Sequence, residues 1–265
     1  MLTKRLIACF DIIGDTVTKA VQFQDNIEVA PAEELARSMY EEQIDELIFY
    51  DITASAEKRK INIETVKKVA RCVFIPFAVG GGIRNLDDMY EALKAGAEKI
   101  SIDSMAVRNP GIIAEGARAF GSQCIVLSTQ VKRIQKSSKI PSGYEVYIDG
   151  ARIATGMDAI EWIKRGQELG AGELCLNSID NDGTLCGYDL ELMKLASEEV
   201  SIPLIASGGA GEPRHLKELF SGTAAQAAII SSMLYSPRLE RNYPVAELKE
   251  YLQKENIHVR PASAG

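Results

Sequence analysis

Two glycine runs in this chain each follow an apolar stretch of β character, Val79-Gly80-Gly81-Gly82 and Ala206-Ser207-Gly208-Gly209-Ala210. Each precedes a second short motif: Ser101-Ile102-Asp103-Ser104 after the first, Ile230-Ser231-Ser232 after the other. Gly81 and Gly208 lie 127 residues apart, and Ser104 and Ser232 lie 128 apart. A glycine run at the end of a strand lets backbone N–H groups come close to an anion. One such run is equally an ordinary tight turn, whereas two at one spacing point to a ligand with a phosphate at each end. Neither has the G-x-G-x-x-G spacing, with an acidic ribose ligand about 20 residues later, that a dinucleotide fold requires.

Carboxylates supply the other chemistry. Asp11, Asp51 and Asp103 close the first, second and fourth strand candidates, and Asp180 and Asp182 follow the sixth. An apolar run that ends in a carboxylate at the centre of a mouth suits a proton carrier, which singles out Asp11; a loop-tying aspartate is the plain alternative. For Asp51, with Thr53 beside it, the loop-tying role is favoured. Lys19 either neutralises a ligand phosphate or simply solvates its loop. Asp182-Gly183-Thr184 offers donors to phosphate or ribose, or is only a turn.

Such residues need elements to hold them. Eight strand candidates alternate with amphipathic helical stretches: Leu6 to Asp11, Glu46 to Ile52, Val73 to Val79, Lys99 to Asp103, Cys124 to Thr129, Glu173 to Ser178, Leu204 to Ser207 and Ala227 to Ser231. Eight strand-helix pairs in 265 residues predict an α/β fold, a single (βα)8 TIM barrel over residues 1–260. The doubled motifs predict two half-barrels about a pseudo-two-fold axis. Asp51-Ile52-Thr53 aligns with the Asp180 to Thr184 stretch and Asp11 with Gln130, so the phosphate sites should face each other across the mouth. A loop and hairpin are inserted at about 131–155: Val131 to Ser142 reads as a mobile loop, and Tyr144 to Thr155 as a hairpin with a primed turn at Asp149-Gly150. The first connection, Ile12 to Ala30, is long enough to cover the mouth, and the tail at 261–265 reads as disordered.

Composition narrows the function classes. A formal charge of −7 disfavours nucleic acid and membrane surfaces as partners, so positive potential for a phosphate must be local. The cysteines Cys9, Cys72, Cys124, Cys175 and Cys186 lack paired spacing and read as buried free thiols of a reducing cytoplasm. The only histidines, His215 and His258, fall in helical or terminal surface segments, so no histidine-held metal and no cofactor is expected. Arg5 and Asp11 interrupt the N-terminal apolar run, which excludes a signal peptide there.

Several runs together resemble one family. Lys4-Arg5-Leu6-Ile7-Ala8-Cys9-Phe10-Asp11, Asp51-Ile52-Thr53-Ala54-Ser55, Val79-Gly80-Gly81-Gly82-Ile83-Arg84, Gly170-Ala171-Gly172-Glu173, Asp182-Gly183-Thr184 and Ile205-Ala206-Ser207-Gly208-Gly209-Ala210-Gly211 are similar to the cyclase subunit of imidazole glycerol phosphate synthase. The resemblance covers nearly the whole chain. It implies a lyase of histidine biosynthesis that takes ammonia from a glutaminase partner, cleaves a ribulosyl formimino bisphosphate and closes an imidazole ring. It makes Asp11 a catalytic acid/base and puts Lys19 in the substrate loop. It gives one phosphate to Gly81, Gly82 and Ser104, and the opposite substrate half to Asp182, Gly183, Ser207, Gly208, Gly209 and Ser232, with Asp103, Asn177 and Ser231 completing the binding set. Arg5, Glu46, Lys99 and Glu173 match a charged ring that gates an ammonia passage at the barrel bottom; read from the residues alone, the same four could plug the strand starts.

The chain departs from the family pattern at the reacting centre. The second catalytic aspartate falls on Gln130, which neither donates nor accepts a proton at neutral pH. Asp103 stands where asparagine is usual and Asn177 where threonine is usual; the first loop has Ile13 for a lysine and Asp15 and Ala20 for glycines. Both phosphate motifs and the bottom ring remain. That distribution also fits a diverged paralogue that delivers ammonia to another acceptor, such as a sugar being amidinated, or a subunit that only regulates a glutaminase.

Overall fold

The computed structural model describes residues 3–21, 24–54, 59–236 and 240–262. The first half of the chain runs β1 (Arg5–Ile13), β2 (Thr16–Val21), β3 (Gln24–Pro31), α1 (Ala32–Glu41), β4 (Glu46–Asp51), α2 (Ile63–Ala70), β5 (Phe77–Gly80), α3 (Leu86–Lys94), β6 (Lys99–Ile102), α4 (Ser104–Arg108) and α5 (Gly111–Phe120). The second half repeats that order: β7 (Ile125–Arg133), β8 (Tyr144–Ile148), β9 (Ile153–Asp158), α6 (Ala159–Glu168), β10 (Glu173–Ser178), α7 (Leu190–Glu199), β11 (Leu204–Ser207), α8 (Pro213–Gly222), β12 (Ala227–Ile229), α9 (Ser231–Tyr235) and α10 (Val245–Lys254). Eight parallel strands close a ring in the order β1, β4, β5, β6, β7, β10, β11, β12, with β12 returning to β1. The fold is therefore a (βα)8 barrel.

The two-fold repeat reaches the register. Ile48 pairs with Ala78 as Cys175 pairs with Ile205, and Tyr50 with Gly80 as Asn177 with Ser207. Every one of these partners is offset by 127 residues. The caps repeat too: Asn62 accepts from Thr65 N to start α2, and Asp189 accepts from Leu192 N to start α7, again 127 residues on. This register matches Asp51 with Ser178 rather than Asp180, a shift that sequence alignment by residue type could not detect.

Four expectations change. The first connection is itself a hairpin, β2 and β3, built on β1 as β8 and β9 are built on β7, so the hairpin belongs to both halves and is not an insertion in one. What differs is the polar stretch 134–143, which stands where the first half has only Gly14-Asp15. Residues Val131 to Arg133, expected in a loop, continue β7 because β8 pairs with them. The second hairpin turns through Asp149, Gly150 and Ala151, all with positive φ (56°, 65° and 62°), which is wider than a two-residue primed turn. β5 begins at Phe77 and not at Val73, since Pro76 has no N–H for the ladder and offers only its carbonyl, to Leu47 N at 3.0 Å.

Strand alternation sorts side chains into two cores. One fills the shell between ring and helices and includes Leu6, Phe10, Phe49, Val79, Ile100 and Leu127. The other fills the lumen with Ile7, Cys9, Ile48, Ala78, Val126, Cys175, Ile205, Ala227 and Ile229, and Tyr50 packs on it. The lumen positions also include Arg5 and Asp11, two-residue steps below and above this core on β1. His215, expected on the surface, is buried in α8 and accepts from Gly211 N at 3.2 Å. Of the cysteines, all free, Cys9 and Cys175 are buried and Cys186 is exposed, since it sits in the loop after β10 and not in a strand. Residues 263–265 of the expected disordered tail lie outside the described residues.

Candidate active site

Both glycine motifs use glycine for the same mechanical reason. Gly81 and Gly208 have φ of 86° and 91°, a region closed to most side chains. A Cβ on Gly81 would lie 2.3 Å from the Asp51 carbonyl oxygen, and one on Gly208 would lie 2.7 Å from that of Ser178. The next pair repeats this: a Cβ on Gly82 would meet Ala54 Cβ at 2.8 Å, and one on Gly209 would meet Asn181 Cβ at 3.1 Å and the Gly187 carbonyl oxygen at 1.9 Å. Each run folds back over the end of the preceding strand. The first sits at β5 and β6 and the second at β11 and β12, on opposite sides of the ring.

Their surroundings differ. A cavity at the mouth is walled by Asp11, Lys19, Gln130 and Asn177, by Asp182 and Gly183 of the loop after β10, and by the second motif with Ser207, Gly208, Gly209, Ser231 and Ser232. Gly81, Gly82, Asp103 and Ser104 stand outside that cavity. Ser104 Oγ accepts a hydrogen bond from Asp149 N at 2.9 Å, so the tip of the β8-β9 hairpin covers it, and an Arg108–Asp149 ion pair fastens the tip. Ser231, placed in the binding set from sequence, spends its hydroxyl on β1: it accepts from Cys9 N and donates to Cys9 O, both at 2.8 Å.

The carboxylates lie in distinct settings. Burial raises Asp11, and Lys19 partly offsets it. Asp182 is pushed up to about 6 by burial, with Lys19 lowering it and Asp11 raising it, so these two acids share one lysine. Asp103 is pushed up to about 7 by burial, against a hydrogen bond from Gln130. Gln130 Nε2 donates to Asp103 Oδ2 at 3.4 Å, and Gln130 Oε1 accepts from Asn177 Nδ2 at 2.8 Å. Asp51 ties its loop, as expected: it accepts from Ala54 N at 3.1 Å and pairs with Arg59 at 2.5 Å. Asp180 does similar work, taking Arg133 N at 2.8 Å.

Four residues of the cavity floor escaped the sequence reading: Cys9, Tyr50, Ser128 and Cys175. Three of them stand two positions before a mouth residue that was found (Asp11, Gln130, Asn177), so period-two counting back along the strands would have named those three, whereas Tyr50 joins them through its register with Asp11. Tyr50 spans the lumen, its hydroxyl 3.0 Å from Ser101 Oγ and 3.3 Å from Ser128 Oγ. At the opposite end Arg5, Glu46, Lys99 and Glu173 meet as a closed ring of alternating charge. Arg5 pairs with both glutamates, and Lys99 Nζ lies 2.7 Å from Glu46 and 2.8 Å from Glu173. Glu46 is almost wholly buried, and that burial raises its carboxyl even against two cations.

The sequence model of the family described as histidine biosynthesis protein matches residues 5–240. The chain belongs to that family. Among its relatives, an imidazole glycerol phosphate synthase subunit HisF of Desulfosudis oleivorans is 51% identical over 260 residues, covering 98% of this chain and 99% of the relative. The subunit HisF of Desulfatibacillum aliphaticivorans is 52% identical with 98% of each chain covered, and that of Syntrophobacter fumaroxidans is 50% identical with 98% and 99% covered. Family membership thus extends over both half-barrels, both glycine motifs and the charged ring.

Proposed function

We infer that this chain is the cyclase subunit of an imidazole glycerol phosphate synthase, a lyase of histidine biosynthesis. It takes ammonia from a glutaminase subunit, cleaves a ribulosyl formimino bisphosphate and closes the imidazole ring. The observation that carries this reading is the placement of half-buried Asp11, beside Lys19, between two glycine grips on opposite sides of one ring. Backbone N–H groups at each grip hold a terminal phosphate, Lys19 supplies local positive charge, and Asp11 moves protons at the reacting atoms between them. Ammonia enters through the ring of Arg5, Glu46, Lys99 and Glu173, where a glutaminase docks, and crosses the lumen past Tyr50. Because α4 and the β8-β9 hairpin meet over Ser104, the bisphosphate displaces the hairpin tip as its first phosphate seats. Among the described residues no helix is long and apolar enough to cross a membrane, and the reading places the protein in the cytoplasm.

Purified chain given ammonium chloride and the bisphosphate should release the imidazole product, and co-purified glutaminase should replace ammonium with glutamine. Absence of product together with absence of bisphosphate binding would reject the reading. A second reading is favoured by Gln130 alone: a barrel that keeps its grips and ring and hands ammonia to another acceptor, such as a sugar being amidinated. Bisphosphate binding without ring closure, with amidinated sugar formed in the presence of the glutaminase, would select it. Stimulated glutaminase activity without either product would mark a purely regulatory subunit.

A further inference from the structure

Of the three acids at the mouth, Asp11 and Asp182 share Lys19, whereas Asp103 follows β6, three strands from β1 on the other side of the ring from β10. We propose that Asp103 is the second proton-transfer residue of the mouth, working across it from Asp11 and held in place by Gln130. The proposal rests on the cyclase reading above.

Asp103 continues the lumen-facing series Lys99, Ser101 of β6 by one more two-residue step. It occupies the position before α4 where an aspartate ordinarily caps the helix, yet its side chain makes no capping bond. Its carboxylate instead meets Gln130 Nε2 at 3.4 Å. Gln130 cannot turn its amide over without losing the 2.8 Å bond from Asn177, so three neighbouring strands fix one donor on the Asp103 carboxylate. The charged groups facing Asp103 are Arg108 of α4 and Asp149 of the β8-β9 turn. These two pair with each other, β7 and β10 present the neutral amides of Gln130 and Asn177, and Cys175 lies below as a thiol that burial keeps protonated. Asp103 therefore meets burial without a cation of its own, and both its protonated and ionised forms are accessible near neutrality.

That split gives each acid a task. When ammonia adds to a substrate carbonyl, the nitrogen lone pair forms the C–N bond and the carbonyl π pair moves to oxygen. The oxygen takes a proton from the Asp103 carboxylic acid, and the nitrogen gives one to the Asp11 carboxylate. Proton exchange with solvent then returns both carboxyls to their starting states, the same two transfers expel the oxygen as water, and a second exchange resets the pair, so carbonyl and ammonia become imine and water. Gln130, whose amide cannot enter this traffic, is a positioning residue.

The test compares the parent chain with Asp103→Asn, Asp182→Asn and the double variant Asp103→Asn with Gln130→Asp, each saturated with ammonium chloride and assayed on the bisphosphate from pH 5 to 9. The proposal expects Asp103→Asn to lower kcat by ~10²–10⁴-fold, to leave KM within about threefold, and to remove a limb of the kcat profile near pH 7. Returning the carboxyl one strand away in the double variant should recover at least about tenfold. Bisphosphate binding by calorimetry serves as the folding check. An Asp103→Asn protein that binds, keeps kcat within about threefold and keeps the limb overturns the proposal, as does loss of that limb in Asp182→Asn alone. A parent that binds the bisphosphate but never forms product defeats the cyclase reading itself, and the proposal with it, which is a different result from an active parent with an indifferent Asp103.

Discussion

The two half-barrels share a backbone and differ in their side chains. Register, helix caps and the close approach of each glycine run to the preceding strand all repeat at an offset of 127 residues. At the mouth the matched positions diverge: Asp11 pairs in register with Tyr50 where Gln130 pairs with Asn177, and Gly80 stands where Ser207 does. On the proposed reading, backbone N–H groups hold an anion whatever the side chain, so both halves can keep a grip, while the chemistry between the grips requires different groups on the two walls. The lid differs as well. The second grip opens into the cavity, and the first lies under the turn of the other half's hairpin.

The largest expected effect tests the divergence itself. Asp11→Asn should cost ~10²–10⁴-fold in kcat, whereas Gln130→Ala at the matched position should cost no more than about tenfold; equal losses in steady-state assays would break the distinction. Next come the grips. Gly209→Ala forces a Cβ to within 1.9 Å of a carbonyl oxygen at positive φ and should destabilise by about 2–4 kcal/mol, more than Gly82→Ala, whose nearest obstacle is a methyl at 2.8 Å. Denaturant melts showing the reverse order would deny that the second grip is the tighter fold.

A smaller effect concerns pH. Asp103 is raised in the folded chain, so its favourable contribution is complete below the carboxylate's unfolded value and is lost as pH rises through about 7. Asp103→Asn should accordingly raise stability at pH 8 by about 1–2 kcal/mol, discounted for partial exposure, and leave it unchanged near pH 4. Thermal melts with no pH-dependent gain would contradict the assigned burial. The smallest effect separates the serines. Ser232→Ala, in the open cavity, should raise KM by about five- to tenfold, and Ser104→Ala by about twofold, because the hydroxyl of Ser104 already serves Asp149 N. A larger KM change at Ser104 would show that the hairpin tip yields to ligand at no cost.

Much of this was legible from residue types. The strands at Glu173–Ser178 and Leu204–Ser207 match their sequence limits, since an apolar run between polar turns leaves little latitude. The hairpin β2-β3 was missed because no Asn-Gly or Asp-Gly pair lies between its two strands to mark a turn. The short helices α4 and α9 escaped because five residues carry less than two turns of periodicity. In the site, Asp11 and the glycines were found by type, whereas Tyr50 carries no motif and joins the cavity only through its register with β1.

The sequence by itself determined the barrel, its doubling, the glycine grips and the placement of carboxylates at strand ends, because those depend on period, local backbone freedom and residue type along the chain. Only the tertiary structure decided that Gln130 links Asp103 to Asn177, that Ser104 lies beneath the second hairpin, and that Arg5, Glu46, Lys99 and Glu173 close one ring. These contacts join residues 27 to 168 positions apart. Which side chains meet across a lumen is fixed by strand order, register and closure, and those are properties of the whole packed chain.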